Sequence, residues 1–283
     1  MANRFTNRHP KIIAFTLQKG GTGKTGCAVN LAASLSTLKR SKGSRYKYKI
    51  LVIDMDIHAS ASKNLDAYDE EAPGMYEVLT NKCNMEDIIV EKKYEFGRYG
   101  TCQIDIAPIT IGAKDIENEW HEFENKEYLL KNALIRFKRL NEYDYVFIDC
   151  PPLSNCLLTN AYFASDYYIF PLTAEKESYD NIAITYKQIK ALTNNLNKKT
   201  IIGSIINNYE ITSTSKPILK ELMGTESYKC FQTVIPHTKA YGETIITKTP
   251  VVFYHCNYRD LPKLFSAFRH LSKEFISRME LIK

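Results

Sequence analysis

The segment Gln18-Lys19-Gly20-Gly21-Thr22-Gly23-Lys24-Thr25 constrains the fold of this chain more than any other stretch. It follows an apolar, strand-like run over residues 11–17 and opens a helical stretch over residues 25–38. Strand, glycine-rich turn and helix, in that order, make a phosphate cradle. Glycines let backbone N–H groups curl around an oxyanion where a side chain would obstruct them. The first turn of the helix adds the positive end of its dipole. Lys24 is then placed to reach β- and γ-phosphates, and the Thr25 hydroxyl to ligate Mg2+. Position 18 is glutamine where the generic pattern has glycine, and Lys19 adds a second cation at the start of the loop.

The rest of the chain reads as strands alternating with helices. Further strand-like runs fall at 50–54, 104–109, 145–149, 167–172 and 201–206, and further helical stretches at 126–140, 178–192 and 262–279. This pattern predicts an α/β fold, a mostly parallel twisted sheet with helices on both faces. No Pro/Gly/Ser-rich linker, low-complexity tract or internal repeat interrupts it, so a single P-loop domain over 1–283 is the simplest organisation.

Two strands end in acids. Residues 50–54 run into Asp54-Met55-Asp56, with the two carboxylates at alternate positions and so on one face. Residues 145–149 end at Asp149, followed by Cys150-Pro151-Pro152. In an open parallel sheet, ligands bind in the crevice outside the carboxyl ends of the strands. An acid there, beside a phosphate cradle, is expected to serve the metal, and Asp149 is the natural carboxylate for that position. His58, close to Asp56, has two readings, a proton acceptor or a polar cap of the following turn.

Net charge is +6 and the isoelectric point near 8.8, compatible with a polyanionic partner without requiring one. A basic, tyrosine-bearing stretch over residues 39–49 reads as a solvated loop that also suits phosphate contact, and residues 66–74 as an acidic turn. No apolar run approaches the roughly 18 residues of a bilayer span, so no transmembrane segment is expected. The first ten residues lack the apolar stretch of a secretory signal. Seven cysteines, none in a Cys-x-x-Cys pair, fit reduced thiols of a cytosolic protein rather than a metal site or disulfide framework.

Taken together, these motifs resemble the ParA/MinD family of deviant Walker A ATPases, most closely its ParA-type DNA-partition members, over nearly the whole chain. Residues 18–25 look like the family P-loop, 54–56 like its second acidic motif, and 143–152 like its Walker B region. Residues 158–161, 164–166 with the strand to Pro171, 233–236, Glu243 and 249–252 are also similar to family segments. The resemblance implies ATP and Mg2+ as cofactors. It places Lys19, Gly20, Gly21, Thr22, Gly23, Lys24, Thr25, Gly26, Asn207 and Pro236 around the nucleotide. It makes Thr25, Asp54 and Asp149 the metal residues, and Lys19, Lys24 and Asp56 catalytic. Lys19 would reach the partner's nucleotide across a homodimer, while Asp56 would position water. Three positions depart from the family pattern: Ile57-His58 replaces Pro-Gln, Gly26 replaces Thr or Ser, and His237-Thr238-Lys239-Ala240 replaces an arginine-bearing segment.

The implied function is an ATP-dependent segregation switch. An ATP-bound dimer would bind double-stranded DNA without sequence preference, and a ParB-like centromere-binding protein would stimulate a slow hydrolysis. Location would be cytoplasmic, on the nucleoid. Candidate DNA contacts are Lys216, Lys220, Lys239, Lys248, Arg259, Lys263, Arg269 and Lys273, with Arg278. No helix-turn-helix segment is expected ahead of residue 11. The alternative is a MinD-like ATPase positioned on a membrane surface through an amphipathic final helix. Residues 264, 265, 268, 271, 275, 276 and 279 have the required spacing, but the same stripe serves core packing. A nitrogenase-iron-protein-like reductase would need a paired set of cluster cysteines, and nothing marks Cys83, Cys102 or Cys150 as one.

Overall fold

The computed structural model describes residues 9–97, 100–110, 116–193, 200–254 and 261–282. Seven strands form one sheet: β1 (Lys11–Phe15), β2 (Ile50–Asp54), β3 (Val90–Glu95), β4 (Thr101–Ala107), β5 (Tyr145–Asp149), β6 (Tyr167–Leu172) and β7 (Thr200–Ile206). Their order is β3-β4-β2-β5-β1-β6-β7, with every pairing parallel except the antiparallel β3–β4 pair. The helices are α1 (Lys24–Ser36), α2 (Ser60–Asn64), α3 (Met75–Leu79), α4 (Met85–Ile88), α5 (Ile116–Glu119) and α6 (Leu129–Arg136). They continue with α7 (Cys156–Ala164), α8 (Ser178–Thr193), α9 (Ser215–Gly224), α10 (Ala240–Ile246) and α11 (Leu261–Leu281).

Alternation along the central strands divides the core into two layers. Ala14, Leu51, Ile53, Val146 and Ile148 face one layer with residues of α3, α6, α7, α8 and α9. Ile13, Phe15, Ile50, Val52, Tyr145 and Phe147 face the other, under α1 and α11. Both faces are covered, which is why these strands read as near-continuous apolar runs. Rings lock the second layer: Phe15 lies 5.0 Å from Phe147, and Phe275 lies 5.1 Å from Tyr145 and 5.7 Å from Phe147. Where α1 crosses α11, small residues allow close approach, and Ser34 Oγ donates to Ser272 Oγ at 3.0 Å.

The expected α/β architecture is what the structure shows, with differences at the margins. β3 was not expected. Its sequence, Val-Glu-Lys-Lys-Tyr-Glu, is rich in residues depleted in strands and half of it faces solvent, as suits a charged edge. The helix expected over 126–140 is shorter. A 3-10 turn at Lys126–Tyr128 leads into α6, and the chain extends at Phe137 so that Phe137 and Leu140 both reach the core. In α11, Leu264, Phe268, Leu271, Phe275 and Met279 are buried. The apolar stripe that a membrane-surface anchor would need is therefore core. Among the described residues no helix is long and apolar enough to cross a membrane.

Candidate nucleotide site

The site lies at the carboxyl edge of the sheet, where β1, β2, β5 and β6 end together. After β1 the chain leaves the sheet through a tight turn (Lys19 N to Leu17 O, 2.8 Å) and enters the loop. Gly21 and Gly23 take φ values of 74° and 86°, a left-handed conformation that a side chain would strain. Gly23 has a second reason to be glycine, because a Cβ there would fall 1.9 Å from Asn207 Nδ2. That amide donates to Thr22 O at 3.0 Å and braces the loop from the end of β7. Gln18, the departure from the generic pattern, also acts as a brace. Its backbone N–H donates to Thr185 Oγ1 at 3.1 Å and its side chain to Gln188 Oε1, both on α8.

Lys24 is buried and donates to Lys19 O at 2.8 Å and Leu17 O at 3.3 Å. Burial pulls its ammonium below the ordinary lysine range, opposed by the charge of Asp149. Thr25 Oγ1 donates to Asp149 Oδ2 at 2.6 Å. Asp149 Oδ1 is buried and has no hydrogen-bond partner among the described residues. Burial, and then the charge of Asp54, hold this carboxyl well above the ordinary range. A hydroxyl and a carboxylate with an unsatisfied oxygen, at the mouth of a phosphate loop, are a hard-oxygen donor set that fits Mg2+ completed by phosphate and water. The orphaned oxygen is the feature a metal would relieve.

Asp54 pairs with Asp149 in register across β2 and β5, yet its environment is the opposite. Its Oδ2 accepts from Ser62 N at 2.8 Å and Ser62 Oγ at 2.7 Å, and its Oδ1 accepts from Asp56 N at 3.1 Å. Ser62 Oγ in turn accepts from Ile109 N at 3.1 Å. Asp54, expected among the metal residues, has both of its oxygens engaged by these donors. It is a scaffold carboxylate that fixes the turn after β2 and the start of α2. Asp56 sits at the edge of the site, where its Oδ1 accepts from His58 N at 3.0 Å and lies 2.8 Å from His58 Nδ1. The Asp56 carboxylate thus closes the turn on the His58 N–H, and the His58 ring lies against the same oxygen.

Lys19 points away from its own loop, paired with Glu175 Oε2 at 2.5 Å on the surface. Asn207 and Pro236 come together: Ile235 N donates to Ile206 O, and Tyr209 bridges Pro236 in parallel. One contributor had no motif to reveal it. Asn30 holds the first turn of α1 by donating to Gly26 O at 2.9 Å and accepting from Val251 N at 2.7 Å. A buried asparagine one helical turn past the loop is its only sequence trace.

The proposed DNA contacts do not form one patch. Lys216 and Lys220 are on α9, which covers one face of the sheet, while Lys263, Arg269 and Lys273 are on α11, which covers the other. Lys239 is exposed ahead of α10, and Lys248 pairs with Asp66 at 2.7 Å. Arg269 donates to Thr37 Oγ1. Arg278 is engaged within the protein itself. It stacks 3.9 Å from the centre of the Phe231 ring and donates to Ile202 O, Lys229 O and Cys230 O, so its charge holds the β7 edge together. Arg259 lies outside the described residues.

A doubly covered, mostly parallel sheet with a lysine- and hydroxyl-bearing glycine loop at its carboxyl edge defines a P-loop nucleoside triphosphatase. Comparison with known proteins narrows this. The chain belongs to the AAA domain family, whose match covers residues 10–202. It is 28% identical over 247 residues to the sporulation initiation inhibitor protein Soj of Bacillus subtilis, spanning 86% of this chain and 91% of that one. Among solved structures, a plasmid partition protein from Borrelia burgdorferi superposes with a TM-score of 0.69 at 24% identity, covering 95% of this chain and 99% of that one. A cobyrinic acid a,c-diamide synthase from Mycobacterium smegmatis, with bound ADP and magnesium, superposes with a TM-score of 0.74 at 20% identity over 97% of each chain. The resemblance to ParA-type partition ATPases holds, whereas the fold alone is shared with a synthase of different chemistry.

Proposed function

We propose that this chain is an ATPase that pairs with a second copy of itself on binding ATP and Mg2+, and in that state holds double-stranded DNA without sequence preference. A ParB-like, centromere-bound partner would stimulate its slow hydrolysis and release it, moving a plasmid or chromosome over the nucleoid. The observation that carries the reading is the Thr25–Asp149 contact beside an unpartnered carboxylate oxygen at the loop, in a chain whose relatives include partition proteins.

Each residue then has a task. The loop N–H groups and Lys24 hold the phosphates, Lys24 exchanging its contacts with loop carbonyls for phosphate oxygens. Thr25 and Asp149 hold the metal, which supplies neutralisation of the charge that builds on the transferring phosphoryl group. Asn207 and Pro236 take the base side. Asp56, at the edge of the site, orients water, and Lys19 leaves Glu175 to reach the partner's nucleotide. A cation supplied in trans makes hydrolysis conditional on pairing.

The test is DNA binding with ATP, with ADP and without nucleotide, run beside liposome flotation. DNA retention only with ATP is expected. Equal retention in all three conditions overturns the switch, and liposome binding without DNA affinity supports the membrane-surface alternative instead.

A further inference from the structure

Position 26 is where the family pattern has a hydroxyl and this chain has none. Gly26 is buried on the first turn of α1, directly after the lysine and threonine of the loop. A Cβ built on Gly26 would lie 2.0 Å from Tyr241 Oη and 2.9 Å from Tyr241 Cζ. A hydroxyl oxygen on a side chain at 26 would itself stand about one bond length from that Cβ. The phenol oxygen contributed by α10 therefore occupies the place of the missing hydroxyl.

Three observations make this more than a filled gap. The Tyr241 ring is half-buried and packed beside the second core layer, which sets its Oη against the first turn of α1. A phenol O–H held beside a phosphate cradle is a neutral donor that suits a phosphate oxygen. Asn30 fixes the backbone of Gly26 by accepting from Val251 N and donating to Gly26 O, which ties the first turn of α1 to the segment after α10. Burial, with Cys27 and Asp149 nearby, pushes the phenol well above its ordinary range. It therefore remains a neutral donor at physiological pH and does not place a second negative charge against a phosphate.

We infer that Tyr241 is a nucleotide-binding residue: its O–H donates to a phosphate oxygen on the adenosine side of the phosphate chain, replacing a hydroxyl from position 26. Lys24 and Thr25 already take the γ end and the metal, which leaves the inner phosphate to the next residue along the helix. The inference rests on the ATP-site reading above. It also accounts for Gly26, since threonine there would displace the tyrosine ring.

Nucleotide affinity of the full chain tests it, with Lys24→Ala as reference for the site. Tyr241→Phe should weaken ATP and ADP by the same factor, about tenfold, as expected for loss of one hydrogen bond to a charged group, with an unchanged melting temperature. Gly26→Thr alone should weaken binding further, because the tyrosine is displaced. The double variant Gly26→Thr/Tyr241→Leu, which returns the hydroxyl to the helix, should recover to within about threefold of the parent. Parent-like binding by Tyr241→Phe, or failure of the double variant to improve on Gly26→Thr, overturns the inference while leaving the ATP site intact. A parent protein that binds no nucleotide overturns the ATP-site reading and this inference with it.

Discussion

The carboxyl edge of the sheet and the basic surface differ in how the protein holds its charges. At the edge, Lys24, Thr25, Asp54 and Asp149 are buried or half-buried and fixed by named hydrogen bonds. On the surface, Lys216, Lys220, Lys263 and Lys273 are exposed, spread over helices on opposite faces. Buried charge must be partnered or it is costly, so position at the edge is over-determined. Exposed lysines are screened by water and salt, so single contacts do little to fix where they gather. Chemistry at the edge can thus be assigned residue by residue, whereas the surface contributes through the number of cations that a paired molecule presents.

The comparison is tested first at its strongest point. Lys24→Ala should abolish nucleotide binding and lower hydrolysis at least a hundredfold; near-parental turnover would remove the cradle from this loop. Asp149→Ala and Asp54→Ala separate two carboxylates that face each other in register. The first should lose Mg2+-dependent hydrolysis by about a hundredfold while urea unfolding stays within about 1 kcal/mol of the parent, since its Oδ1 has no protein partner to lose and its Oδ2 leaves only the half-buried Thr25 hydroxyl, which water can reach. The second should lose about 2–4 kcal/mol of stability, because the donors of Ser62 and the Asp56 N–H are left buried and unpaired. Reversal of the two phenotypes would exchange their roles.

Smaller effects separate structural cations from surface ones. Arg278→Ala should cost about 2–4 kcal/mol in urea unfolding, as three backbone carbonyls lose their donor. Neutralising Lys263 and Lys273 together should reduce ATP-dependent DNA affinity about tenfold and flatten the log–log salt slope by about two units. An unaltered slope would place the DNA face elsewhere. The smallest change is expected from Glu175→Gln, which frees Lys19 and should raise the dimer fraction at limiting ATP by about twofold, read by analytical ultracentrifugation; exposed pairs of this kind contribute little. The contact has a defined acid limit. Lys19 holds the Glu175 carboxyl below its ordinary range, so the pairing is complete above the ordinary glutamate pKa and is lost as pH falls through the depressed one.

Much of the architecture was legible because both faces of the sheet are covered: β2, β5 and β6 read as unbroken apolar runs with sharp ends, and Gln18 to Thr25 reads as a loop that only a phosphate explains. The hidden parts share a physical cause. β3 is an edge strand whose charged residues face water, so neither periodicity nor propensity marks it. Asp54 and Asp149 carry the same local signature, an acid closing an apolar strand, and only the approach of Ser62 from α2 tells them apart. Gln18 looked like a defect in the motif until Thr185 and Gln188 came beside it.

Sequence by itself determined the class of the molecule, the positions of its central strands along the chain and the loop that holds phosphate, because these depend on residue type and spacing along one segment. Tertiary structure decided which acid keeps a free oxygen, which arginine holds the β7 edge, and which side chain fills the space over Gly26. Asp54 and Ser62, Arg278 and Phe231, and Gly26 and Tyr241 are eight to more than two hundred residues apart in the chain. Hydrogen bonding and burial act over a few ångströms of space, so roles set by those pairs appear only once folding brings them together.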